Sequence, residues 1–181
     1  DLTVSLLRVV NSVAVGVGQR LDSLRHAIVV LGRAQLNRWL QILFYAIGDQ
    51  TGASHPSPLT ILATTRGRMM EMMATEMGNS DSSFRERAFM TGILSLTDTL
   101  LGVPLPDILA QLSLAPEVKR ALLERKGELG MLLKLTEVLE TGDAVPIAAA
   151  LEPFSRLSAE IINVVQMQAM AWANALGTPI S

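Results

Sequence analysis

The sequence predicts an all-α bundle of about ten helices. Apolar residues recur at helical spacing almost throughout, and glycines stand just after apolar helical runs. The one alternating, strand-like stretch is Val13-Ala14-Val15-Gly16-Val17-Gly18. It is short, and its two glycines favour a loop over a strand.

The helix ends are written in glycine and proline. Gly32, Gly48, Gly78, Gly102 and Gly177 each follow an apolar run, where a residue without Cβ enters the left-handed conformation that closes a helix. Pro104 and Pro179 lie two residues beyond such a glycine and block continuation. Starts are marked too. Ser83 with Glu86 has capping-box spacing. Pro116 suits a first turn with Glu117 beside it, and Ser158 with Glu160 opens the last helix in the same way. These signals place helices near 2–11, 23–31, 33–47, 57–77, 82–101, 105–112, 116–125, 128–141, 144–152 and 158–176, with a surface loop over 49–58.

Composition narrows the class. The 181 residues are 49% hydrophobic and 18% charged, against roughly 25% charge in an average soluble domain. That fits one domain over 1–181 with a deep core and a further apolar face that meets another surface. The formal net charge is −2 and no basic stripe occurs, so no nucleic-acid partner is expected. There is no cysteine, which removes disulfides and thiolate chemistry and agrees with a cytoplasmic setting. Residue 1 is Asp, within a helical pattern, and no signal-peptide pattern is present. The expectation is a fragment of a larger parent. Ile161–Ser181 is uncharged, but Asn163, Gln166, Gln168, Asn174 and Pro179 argue against membrane insertion.

Catalytic templates fail by absence. No phosphate-binding loop occurs, and Gly16-x-Gly18 lacks a third glycine. The two histidines, His26 in a helix and His55 in a loop, are too few for a dinuclear metal centre. No cofactor is expected. Met69, Met70, Met73 and Met77 form a dense methionine run that serves either as core filling or as an adaptable partner surface. Arg66 and Arg68 lie within helical reach of Glu71. Arg8, Asn11, Ser12 and Arg25 sit among apolar neighbours, where buried polar groups must satisfy one another. They are expected to form a structural or interaction network.

The order of these segments resembles a known family. Leu6-Leu7-Arg8-Val9-Val10-Asn11-Ser12, then Leu21-Asp22-Ser23-Leu24-Arg25-His26-Ala27 running to Leu31-Gly32, is similar to the HDOD signature, and Leu36-Asn37-Arg38-Trp39 extends it. Thr65-Arg66-Gly67-Arg68-Met69-Met70-Glu71, Gly92-Ile93-Leu94-Ser95-Leu96, Leu101-Gly102-Val103-Pro104, Gly127-Glu128-Leu129-Gly130 and Ala171-Trp172-Ala173-Asn174 resemble the variant attached to EAL domains. The resemblance implies a helical bundle related to the HD phosphohydrolases. Those enzymes carry a metal-binding His-Asp pair where this chain has Ser95 and Leu96. It therefore implies a non-catalytic regulatory module of a bacterial signalling protein. Its expected partner is an upstream EAL domain, related to cyclic-di-GMP phosphodiesterases, or another signalling protein, with homo-oligomerisation open. Two other readings compete. One is a divergent metal-dependent phosphohydrolase using Asp98, Glu71 or Glu76 with His26. The other is a small-ligand sensor built on the methionine run.

Overall fold

The computed structural model describes residues 57–78, 81–110 and 114–176. All but Ser57 and Ala110 belong to one compact unit, Pro58–Leu109 with Leu114–Ser181. The described residues are helical without a strand, in the order α1 (Pro58–Glu76), α2 (Ser82–Leu94), α3 (Thr97–Leu101), α4 (Leu105–Ala110), α5 (Pro116–Glu124), α6 (Gly127–Thr141), α7 (Ala144–Leu151) and α8 (Ala159–Leu176). No helix among them is long and apolar enough to cross a membrane.

The packing centres on α1. α1 packs on α2 and on α8, and α6 reaches α1, α2 and α5. The core is aliphatic and sulfur-rich: Met70, Met73, Leu132, Leu133 and Leu135 are fully buried. Burying such a side chain contributes about 1.5–3 kcal/mol. In the core, the hydroxyls of Thr64, Thr91 and Thr136 each donate to the carbonyl one turn earlier. Thr64 bonds Thr60 O at 2.7 Å and Thr136 bonds Leu132 O at 2.8 Å.

Glycine sets the tightest crossing. A Cβ on Gly92 would lie 2.6 Å from the Gly67 Cα, and one on Gly67 would lie 2.7 Å from Ile93 Cγ1. Backbone therefore meets backbone where α1 crosses α2. Any side chain at Gly92 would push the helices apart.

Several local expectations need correction. The expected helix over 82–101 is two helices. Ser95 and Leu96 break it, with Leu96 at φ −116°, ψ 6°. The Ser95 hydroxyl donates to Gly92 O at 2.6 Å and that of Thr97 to Leu94 O at 2.7 Å. These side-chain bonds compete with continued helix. The helix cap is also not Ser83. Asp81 is the N-cap, and its carboxylate accepts from the Ser83 amide at 2.9 Å and from the Ser83 hydroxyl at 2.7 Å. The loop placed over 49–58 ends before Pro58, which is the first residue of α1. The ends at Gly78 and Gly102 hold, with φ of 76° and 64°. So does the Ser158 start, where the hydroxyl accepts from the Ile161 amide. The 2–11, 23–31 and 33–47 helices, the Val13–Gly18 stretch and the ends at Gly32, Gly48 and Gly177 lie outside the described residues.

Capping has a consequence in acid. The hydroxyl and amide of Ser83, with Arg87 nearby, hold the Asp81 carboxyl below its ordinary pKa. The hydroxyl of Ser158 does the same for Glu160, and Lys126 for Glu124. A carboxyl with a depressed folded-state pKa contributes stability above its unfolded pKa and loses it as pH falls through the folded one. Thermal stability is expected to fall below about pH 4.5, where carboxylates begin to protonate. Asp81→Asn should flatten part of that fall in a pH series of melting curves. An unchanged acid limb would contradict this assignment.

Candidate functional site

The site is built around Ser95, at the break between α2 and α3. Across from it, Arg66 projects from α1 and is 6% exposed. A guanidinium stays charged at any accessible pH and carries five donors, so its burial requires acceptors. Each of its three nitrogens has one. Nη1 donates to Ser95 Oγ at 2.7 Å. Nε and Nη2 donate to the two carboxylate oxygens of Glu140 at 2.8 and 2.6 Å. This is the planar two-pronged pairing for which arginine is suited.

Glu140 lies in the last turn of α6. One turn earlier on that helix, Glu137 stands between two cations. Its Oε1 is 3.8 Å from Arg66 Nη1. Arg125 donates to it twice, Nη2 to Oε1 at 2.8 Å and Nε to Oε2 at 3.1 Å. Arg125 also donates to Leu122 O. Its backbone is left-handed, at φ 56°, an uncommon state for a residue with a Cβ. Gly130 makes that turn fit, because a Cβ there would lie 2.4 Å from the Arg125 carbonyl carbon.

The result is two arginines and two glutamates joined to one serine, with no net charge. Each carboxylate is engaged on both oxygens by a guanidinium. Such a cluster offers no charge to a divalent cation, and Arg66 adds repulsion. Among the described residues, no three His, Asp or Glu side chains gather as a metal site. The carboxylates of the hydrolase reading are otherwise occupied or dispersed. Glu71 is buried against Arg68, at 2.6 Å. Asp98 accepts from the amide of Thr99 at 2.7 Å, and Glu76 is exposed at the end of α1.

The remaining sequence candidates are distributed as follows. Ser95 is in the cluster, whereas Leu96 is part of the helix break. Arg68 pairs with Glu71 as expected, and its guanidinium lies 5.5 Å over the Trp172 ring. Arg66 does not pair with Glu71; it turns away to α6. Met69, Met70 and Met73 are buried and Met77 is half-buried, so the methionine run fills core here and does not form a partner surface. Arg8, Asn11, Ser12, Arg25, His26 and His55 lie outside the described residues. Sequence reasoning missed Glu137, Glu140 and Arg125. Their only signal was a three-residue spacing of glutamates on an otherwise leucine-rich helix.

The model of the HDOD domain family matches residues 1–128. The chain belongs to the HDOD domain family. Ser95, Arg66 and Arg125 lie inside the match, while Glu137 and Glu140 lie beyond its end. Over 142 residues the chain is 34% identical to the cyclic di-GMP phosphodiesterase CdgJ of Vibrio cholerae, a match covering 78% of this chain and 32% of that protein. It is 26% identical over 143 residues to the uncharacterized protein YuxH of Bacillus subtilis, covering 79% and 34%. The chain thus spans about a third of the length of the curated relatives it matches. No solved structure matches.

Proposed function

We propose that this HDOD domain is a non-catalytic regulatory and protein-interaction module of a cytoplasmic cyclic-di-GMP signalling protein, carried downstream of an EAL domain. The observation that carries the reading is the Arg66–Ser95 bond at 2.7 Å. By the family resemblance, Ser95 and Leu96 correspond to the His-Asp pair of related hydrolases. Serine is a poor metal ligand, and its hydroxyl is already engaged by the guanidinium and by Gly92 O. Leucine ligates nothing. A fixed guanidinium in that place supplies structural charge but no activated water, which is what a catalytic metal would provide.

The signalling context rests on the HDOD match and on likeness to a longer protein, a cyclic di-GMP phosphodiesterase. A domain that has given up its own chemistry acts through contact, and the fold leaves apolar side chains for it. Val145, Val164, Met167 and Met170 are all exposed.

The test uses the parent protein. Replacing the acidic metal ligands of the upstream domain is expected to abolish hydrolysis of cyclic di-GMP. Ser95→Ala is expected to leave turnover intact and alter only its regulation. Hydrolysis that survives loss of the upstream ligands and is then abolished by Ser95→Ala would overturn the proposal.

A further inference from the structure

The chain between Ser95 and Leu109 is held mainly at its two ends. Phe89, Met90, Ile93 and Leu94 before it are buried, and so are Leu109 and, on α5, Val118, Ala121 and Leu122. Of the side chains described from Leu96 to Ile108, none is buried. Leu96, Leu100, Val103, Leu105 and Ile108 are apolar, yet each is only half-buried. Three backbone bonds close within the stretch. Leu100 N donates to Leu96 O at 2.9 Å, Gly102 N to Asp98 O at 2.8 Å and Asp107 N to Pro104 O at 3.0 Å. Such bonds survive when the stretch moves as a body. A segment with few buried side chains opens from the native state more readily than the core around it.

A polar bond to the core stands at the start of the stretch. Arg66 Nη1 donates to Ser95 Oγ at 2.7 Å. Arg66 is itself fixed on α6 through both carboxylate oxygens of Glu140. A bond from an ionised donor is roughly twice as strong as a neutral one. Ser95 passes the restraint to the backbone, because its hydroxyl also donates to Gly92 O at 2.6 Å. No proline or glycine lies at 95–97 to impose the break there. Side chains hold it instead.

We infer that residues 96–108 form a strap that opens from the core as one body, and that the Arg66–Ser95 bond is its latch. Opening exposes the remaining apolar surface of Leu96, Leu100, Val103, Leu105 and Ile108. Under the regulatory reading the strap is the part of the domain that moves, and its role in regulation rests on that reading. The latch itself rests on the geometry alone.

The test is amide hydrogen exchange of the full-length parent, read by mass spectrometry where exchange reports the opening equilibrium. Amides of 97–103 and 107–109 are expected to exchange at least about tenfold faster than those of Leu132–Leu135. Two variants then separate the latch from general stability. Ser95→Ala is expected to speed both sets by about tenfold or more, the effect of losing a hydrogen bond to a charged group. Both are affected because the latch breaks in strap opening and in unfolding of the whole domain. Val165→Ala removes buried side chain from α8 and is expected to speed the Leu132–Leu135 amides by about tenfold or more. It should leave the strap amides unchanged, because strap opening keeps the α8 packing. Equal acceleration of both sets by Val165→Ala would overturn the strap, since residues 96–108 would then open only with the whole domain. Strap amides unmoved by Ser95→Ala would overturn the latch. Either failure leaves the non-catalytic reading to the hydrolysis test.

Discussion

Arg66→Met lowers stability by about 3 kcal/mol, the cost of removing one partner from a buried ion pair. For a chain of this size that is a fall of about 6–12 °C in melting temperature. The loss comes from what remains behind. Glu140 keeps a carboxylate whose side chain is 24% exposed and loses both of its donors. Ser95 loses the donor to its oxygen. Because the variant strands a charge, a second change should recover part of the loss. Arg66→Met with Glu140→Gln is expected to be less destabilised than the sum of the single variants, by about 1–3 kcal/mol of coupling. Additivity within about 0.5 kcal/mol would mean that the pair is not formed in solution.

The second large effect is expected at Gly92. Gly92→Ala adds one carbon where the Gly67 Cα would be 2.6 Å away. Neither backbone can rotate out of the way as a side chain would, so α1 and α2 must separate. The cost is about 3 kcal/mol, the upper range for overpacking a well-filled core. Gly102→Ala is the control. Nothing lies within 4 Å of its Cβ, and its cost comes only from φ +64°, about 1–2 kcal/mol. Denaturant midpoints would rank the two. A smaller loss at Gly92 than at Gly102 would show that the crossing is looser than the structure has it.

These two sites mark what was legible in the sequence. Helices could be read because periodicity and punctuation are local. Pro116 at a first turn and glycines at 78 and 102 did what their backbone chemistry dictates. The break after Leu94 was not legible. Leu96, Leu100 and Leu101 keep an apolar pattern across it, and the competing bonds of Ser95 and Thr97 depend on geometry that no spacing reveals. Gly67 and Gly92 sit mid-helix, where glycine is a weak helix former; only the crossing explains them. The place of Ser95 came from the family resemblance. What occupies it did not, because Arg66 finds Glu140 74 residues away. Glu71, named as a partner for both arginines, is five residues from Arg66 and on another side of the helix, and it serves Arg68 three residues away.

The cluster also ties several helices together. In this chain α1, the α2–α3 break and α6 converge on Arg66, and α5 joins through Arg125 and Glu137. A guanidinium bonds several elements at once, as a metal ion does, but it exchanges no ligand and activates no water.

Melting temperature against added Mn²⁺ tests this most directly. A ligand that binds only the folded state stabilises it by about 2.7 kcal/mol at 100 times its dissociation constant, a rise of about 5–10 °C at this size. No metal-dependent rise is expected for residues 1–181, because the charge that a metal would supply is already provided by Arg66. A saturable rise of that order, lost on Ser95→Ala, would contradict it.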